Sequence, residues 1–175
     1  LLAPDGMAQR TLLYVEDNPA SLKLIEQLVA RRNDLRLISA ANGHQGIELA
    51  RIYQPEVILM DINLPGISGI QAMQILAEDP ATASIPVVAL SANAMPRDIE
   101  KGLEEGFFRY LTKPIKVNQF MDILDTAFEF AKVQSARAKK KQHEYVSAAT
   151  LCQCRPGKDY PAPPGASADA IPLHT

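Results

Sequence analysis

Four consecutive large apolar residues, Val57-Ile58-Leu59-Met60, run into a single Asp61 and then into a loop marked by Pro65, Gly66 and Gly69. A strand sends successive side chains to opposite faces, so a run that is apolar at every position is apolar on both. Such a strand needs cover above and below. That is the situation of a central strand in a parallel sheet with helices on each side.

The neighbouring segments obey the same pattern. Thr11-Leu12-Leu13-Tyr14-Val15, ended by Glu16-Asp17-Asn18-Pro19, predicts a buried strand meeting a loop. Residues 20–31 place Ala20, Leu24 and Leu28 at helical spacing, and Ile25 and Val29 widen the stripe. Leu35 to Ala40 predicts a second strand, punctuated by Asn42-Gly43, and Gly46 to Tyr53 a second helix carrying Ile47, Ala50 and Ile52. Ile70 to Ala77 predicts a third helix with Met73 and Leu76 inward. Ile85 to Leu90 predicts a fourth strand, with Pro86 near its start where a missing donor is tolerated. Pro96 to Glu105 reads as a short polar helix closed by Gly106, Phe107 to Leu111 as a fifth strand, and Val117 to Ala131 as a last helix. Five strands alternating with five helices make a doubly wound parallel α/β domain, and right-handed crossovers put helices on both faces.

Length and charge set the limits. The 175 residues allow one domain and a tail, too few for a barrel of about 250 residues. The formal net charge of −2 gives no basic footprint for nucleic acid. No run of about 18 apolar residues predicts a membrane span, and the N-terminus lacks the pattern of a signal peptide. That average conceals a division. Residues 1–131 hold 11 basic and 17 acidic side chains, a net of −6, and residues 132–175 hold 7 and 3, a net of +4. The expected organisation is a linker over residues 1–9, a domain over 10–131, and a helix extension leading into a disordered tail over 132–175. The basic cluster Arg137, Lys139, Lys140 and Lys141 reads as a solvated helix end. The crowd of Pro156, Gly157, Pro161, Pro163, Pro164 and Gly165 cannot bury enough surface to offset its ordering entropy. Cys152-Gln153-Cys154 has the wrong spacing for zinc, and His143 and His174 lack partners, so no metal site is expected there. His44 reads as a surface loop residue. The missing initiating methionine, with Pro4-Asp5-Gly6 as a linker, suggests a piece of a longer chain, and the tail shows no helix-turn-helix pattern and no room for a catalytic module.

In an open α/β sheet the ligand sits beyond the carboxyl ends of the strands. The first strand ends in Glu16-Asp17, the third in Asp61 with Asn63 two residues on, and the fourth in Ser91. Thr112-Lys113-Pro114 follows the fifth. Taken singly, each has an ordinary structural reading: Asp17 as a helix cap, Ser91 as a turn residue, Lys113-Pro114 as a loop. Taken together, three carboxylates, a hydroxyl and an ammonium converge on one sheet edge. Like charges so close disfavour one another's ionisation, and a divalent cation removes the conflict. All-oxygen ligands point to a hard ion, Mg²⁺ or Mn²⁺. Asp61, after the central strand, is the candidate carboxylate nucleophile for an acyl phosphate. An aspartyl phosphatase on a similar fold is the contrasting reading. It expects Asp-x-Asp, and Asp61-Ile62-Asn63 lacks the second acid.

Val15-Glu16-Asp17-Asn18, Ile58-Leu59-Met60-Asp61-Ile62-Asn63-Leu64-Pro65-Gly66, Val87-Val88-Ala89-Leu90-Ser91-Ala92 and Tyr110-Leu111-Thr112-Lys113-Pro114 stand in one order and spacing. Over about residues 10–131 this resembles the receiver domain of two-component response regulators. The resemblance implies a flavodoxin-like sheet of order 2-1-3-4-5 and a self-phosphorylating acceptor with autophosphatase activity. Asp61 is then the phosphoacceptor. Mg²⁺ (or Mn²⁺) is held by the carboxylates of Glu16, Asp17 and Asp61 and the backbone carbonyl of Asn63, while Ser91 and Lys113 contact the phosphoryl group. The Lys113–Pro114 bond is expected to be cis, and Gly66 and Gly69 fit a tight loop. Tyr110 falls at the family's switch aromatic, coupled to Ser91. The implied donor is a phosphohistidine on a histidine kinase or phosphotransfer domain, and none of this chain's own histidines looks like it. Two settings follow: the C-terminal receiver of a hybrid sensor histidine kinase in a phosphorelay, or a stand-alone single-domain regulator acting by protein binding. A cytoplasmic location goes with both, in the first case as the cytoplasmic part of a membrane-bound kinase. Self-association through the fourth helix, fifth strand and fifth helix is a further implied possibility.

Overall fold

The computed structural model describes residues 9–93 and 95–152, with side chains through residue 143. Ten elements follow in order: β1 (Arg10–Val15), α1 (Pro19–Val29), β2 (Leu35–Ala40), α2 (Gly43–Tyr53), β3 (Val57–Asp61), α3 (Gly69–Glu78), β4 (Val87–Ser91), α4 (Pro96–Glu104), β5 (Arg109–Thr112) and α5 (Val117–Cys152). The five strands form one parallel sheet of order β2-β1-β3-β4-β5. This is the doubly wound, flavodoxin-like arrangement expected from the sequence. The linker residues before Gln9, the Pro- and Gly-rich segment, Cys154 and His174 lie outside the described residues.

The apolar run of β3 has the predicted cause. Val57, Ile58, Leu59, Met60 and Asp61 are all buried, and the run feeds two cores. Leu59 joins Leu12, Tyr14 and Leu90 under α1 and α5, with Phe120, Leu124 and Phe128 from α5. Ile58 and Met60 join Leu13, Val15 and Ala89 under α2 and α3, with Ile47, Met73 and Leu76 from those helices. Strand alternation thus divides one segment between two helical layers.

Helix boundaries differ from the periodicity in instructive ways. The N-cap of α1 is Asn18, whose side chain accepts from the backbone N–H groups of Ala20 and Ser21. Asp17 is therefore not the cap. Leu24 is 40% exposed, because the buried stripe runs through Ile25, Leu28 and Val29 instead of Ala20, Leu24 and Leu28. In α2 the cap is Asn42, so the helix begins at Gly43, three residues earlier than the punctuation suggested. His44 is thus helical, though exposed. Ile52 is 71% exposed. It lies about 140° around the helix from Ile47, whereas Ala50 lies close to it in phase. β4 starts at Val87, after Pro86. β5 starts at Arg109, because Gly106 takes a positive φ of 109° and Phe107 still donates to the Gly102 carbonyl, closing α4.

Periodicity expected α5 to stop at Ala131, yet the helix continues to Cys152. After Ala131 the apolar stripe fades, but Gln134, Ala136, Arg137, Lys139, Lys140 and Lys141 are strong helix formers. The chain divides into two compact units between Arg137 and Ala138. In the first unit, the start of α5 is tied to the α1–β2 connection. Arg32 bridges Asp34 at 2.9 Å and Asp125 at 2.5 Å, and Arg10 pairs with the same Asp34. The hydrogen bonds from Arg32, then those from Arg10, hold the Asp34 carboxyl well below the usual carboxylate range.

The β3–α3 connection is the tightest backbone approach near the sheet edge. Ser68 caps α3 in a reciprocal capping box with Gln71. The next residue, Gly69, lies so close to β3 that a Cβ would fall 2.2 Å from the Asp61 carbonyl oxygen and 2.8 Å from Ile62 Cα. Both obstacles are backbone, so neither can rotate away. Gly69→Ala is expected to cost on the order of 2 kcal/mol, in the range of overpacking, read as a lower urea midpoint at unchanged m-value. Equal stability of the variant would refute this account of the loop.

Candidate functional site

Sheet order decides which strand ends meet. β1 and β3 are adjacent, as are β3 and β4, and β4 and β5, so Glu16, Asp61, Ser91 and Lys113 follow one another across the carboxyl edge. The crossover direction changes between β1 and β3, which is where an open α/β sheet leaves a crevice. Asp61, Glu16 and Ser91 are buried, at 3%, 4% and 3% exposure, while Asp17 is exposed.

Lys113 ties the edge together. Its ammonium donates to Asp61 Oδ2 at 2.5 Å and to Glu16 Oε2 at 2.8 Å. Burial alone would lower the Lys113 pKa, but the hydrogen bonds it donates to Asp61 and Glu16, and the charges of those carboxylates, outweigh it and the net direction is upward. The lysine leaves β5 through a backbone bond from its N–H to the Ser91 carbonyl at 2.8 Å and enters a cis Lys113–Pro114 peptide, as expected.

The remaining lone pairs have backbone partners. Asn63 N–H donates to Asp61 Oδ1 at 2.7 Å, and Asn18 N–H donates to Glu16 Oε1 at 3.1 Å. Ser91 Oγ accepts from Asn93 N–H at 3.0 Å, and the Asn93 side-chain amide donates to Asp98 of α4 at 2.5 Å. Among the described residues every buried side-chain polar atom has a partner.

One contributor was hidden in the sequence. Tyr14, fully buried in β1, donates its hydroxyl to Glu16 Oε2 at 2.9 Å. Burial first, then the Glu16 carboxylate, push the Tyr14 phenol far above its ordinary value, so the group stays protonated and serves as a donor. The legible signal was the spacing of two residues, which puts Tyr14 and Glu16 on the same face of an extended segment. Asn93 lies two residues beyond the end of β4, outside the positions that strand ends mark.

Glu16, Asp17 and Asp61 each offer a carboxylate oxygen, all within 4.8 Å of one another. Ligands at roughly 2.1 Å around a small hard cation span about 4.2 Å, close to that spacing. With oxygen as the only donor element, the set fits a divalent ion such as Mg²⁺. The single Lys113 ammonium pairs with Glu16 and Asp61, so the three acids still outnumber it, and a divalent cation would offset the remaining charge. Tyr110, on β5 opposite Ala89, is half-buried on the α4 side. Two of its ring carbons lie 3.0 Å from the place where a Cβ on Gly102 would stand. Among the described residues no helix is long and apolar enough to cross a membrane.

The sequence profile of the response regulator receiver domain family matches residues 12–125. The polar-differentiation response regulator DivK of Brucella anthropi is 36% identical over 115 residues, covering 66% of this chain and 93% of DivK. The receiver domain of the sensor histidine kinase PA1611 from Pseudomonas aeruginosa is 33% identical. It covers 70% of this chain and 99% of that domain, with a TM-score of 0.64, and its structure holds a magnesium ion coordinated in the active-site cleft. A receiver domain of a LuxO-type repressor from Vibrio parahaemolyticus shares the fold at 20% identity, over 73% of this chain and 96% of that one, with a TM-score of 0.68. The chain belongs to the response regulator receiver domain family.

The raised Lys113 pKa has a definite sign. In the unfolded chain the lysine releases its proton near pH 10.5, while the folded protein holds it to higher pH. Its stabilising contribution is therefore complete below that pH and is lost as pH rises through the folded value. Urea titrations from pH 8 to 11.5 should show wild-type stability falling above about pH 10.5 more steeply than that of Lys113→Met. Parallel curves would contradict the ion-pair geometry.

Proposed function

We propose that this receiver takes a phosphoryl group onto Asp61 from a phosphohistidine of a histidine kinase or phosphotransfer domain. The observation that carries the reading is the buried Asp61 carboxylate, grouped with those of Glu16 and Asp17 and joined to Glu16 by the shared Lys113 ammonium. One Asp61 oxygen attacks phosphorus, the phosphorus–nitrogen bond breaks, and its electron pair returns to the imidazole of the donor. The protein contributes position and charge neutralisation, which suit a reaction whose charge spreads over the transferred oxygens. Lys113 moves from the free carboxylates to the transferred group, and Ser91 Oγ gives up Asn93 N–H to donate to a phosphoryl oxygen.

In this reading Mg²⁺ is held by the carboxylates of Glu16, Asp17 and Asp61 and by the Asn63 backbone carbonyl. When bound, it neutralises charge on the phosphoryl oxygens. The oxygen-only donor set supports it, as does the magnesium ion in the related PA1611 receiver. The switch that follows couples Ser91 to Tyr110 and alters the surface of α4, β5 and α5. Phosphorylation biases two states only through its different contacts in each. That surface, where Met95 just before α4 and Leu103 on it are exposed, is the proposed face for a partner or a second copy.

The setting proposed is a receiver within a hybrid sensor histidine kinase phosphorelay, at the cytoplasmic side of a membrane-bound kinase. Likeness to the PA1611 kinase receiver supports it. The likeness to DivK over nearly its whole length favours the second reading, a stand-alone cytoplasmic regulator. The gene upstream of Leu1 decides: an in-frame kinase core supports the hybrid, and its absence supports the regulator.

Acetyl phosphate with Mg²⁺ should label wild type to near stoichiometry and leave Asp61→Asn unlabelled, by intact mass. Stoichiometric labelling of that variant would sink the assignment. Adding excess EDTA should likewise reduce wild-type labelling at least tenfold, and undiminished labelling would refute the metal role of the carboxylates.

A further inference from the structure

We propose that Tyr14 is a positioning residue for the metal site, its hydroxyl holding the Glu16 carboxylate in the orientation from which it binds the cation. The inference rests on the reading of Glu16, Asp17 and Asp61 as the metal-binding set.

Glu16 has three hydrogen-bond donors, and they differ in permanence. Oε1 takes the N–H of Asn18, a backbone group fixed by the start of α1. Oε2 takes two donors, Lys113 Nζ at 2.8 Å and Tyr14 Oη at 2.9 Å. Lys113 is shared with Asp61, and its side chain is 26% exposed on a long flexible stem. It is also the group that must leave the carboxylates when a phosphoryl group arrives. Tyr14 is 0% exposed. Its ring is enclosed in the same core as Leu12, Leu59 and Phe128, so its hydroxyl has no other place to point.

A glutamate has three rotatable side-chain bonds, and a ligand free to turn loses that freedom on binding. With Lys113 withdrawn, Asn18 and Tyr14 remain, one on each carboxylate oxygen. Two fixed donors on two oxygens define the plane of the group, and one alone does not. The tyrosine therefore acts from behind the ligand. Outer-shell partners of this kind are typically worth about 10- to 100-fold in metal affinity.

A structural explanation competes: a buried tyrosine hydroxyl needs an acceptor, and Glu16 is within reach. The two accounts separate on metal affinity. Mg²⁺ binding by the full chain is measured by titration calorimetry for wild type, Tyr14→Phe and Phe128→Leu, with melting temperatures recorded in parallel. Phe128→Leu loosens the same core without touching the hydroxyl. Tyr14→Phe is expected to raise the Mg²⁺ dissociation constant about tenfold, while Phe128→Leu lowers the melting temperature and leaves that constant within twofold of wild type. Tyr14→Phe binding within twofold of wild type overturns the inference and leaves the metal reading intact. Equal weakening in both variants also overturns it, since core loosening then explains the loss. Wild type that shows no saturable Mg²⁺ binding removes the metal reading itself, and this inference with it.

Discussion

The contact on which the site depends is the bridge from Lys113 to both Glu16 and Asp61. It joins residues at the carboxyl ends of β1, β3 and β5, which the sheet order brings to one edge. Burying two carboxylates 97 and 52 residues from their cation is costly unless geometry and additional hydrogen bonds compensate. Here Asn63, Asn18 and Tyr14 supply those bonds. The site is consequently a product of the whole domain, since no single element brings a complete pair of opposite charges.

Much of this was readable from the sequence because both signals are local. A segment apolar on both faces marks β3 as central, and a polar residue directly after each strand marks the carboxyl edge. That rule alone, without the family resemblance, singles out Glu16, Asp17, Asp61, Ser91 and Lys113. The sequence was less informative where a residue does two jobs. Tyr14 reads as one more large residue in an apolar run, and nothing in its neighbours says that its hydroxyl is used. Asn18 and Asp17 are both good caps, and only the chain path shows that the asparagine takes that position and leaves the aspartate at the acid cluster.

Helix phase explains the other differences. Helical spacing admits Leu24 and Ile52 to the apolar stripes, yet the stripe that the sheet selects is centred on Ile25, Leu28 and Val29 in α1 and on Ile47 and Ala50 in α2. The length of α5 shows the converse. Hydrophobic periodicity locates the part of a helix that packs, which ends near Ala131. Intrinsic propensity carries the backbone on through Lys139, Lys140 and Lys141 to Cys152.

The close grouping of Glu16, Asp17 and Asp61 with Lys113 also gives this corner a formal charge of its own. Three carboxylates and one ammonium leave this corner of the protein two negative charges in excess at neutral pH. A phosphoryl donor is itself anionic and approaches against that field. A divalent cation brings the corner to electroneutrality. In the proposed reaction, a cation bound by these residues would lower the repulsion that an anionic donor meets on approach.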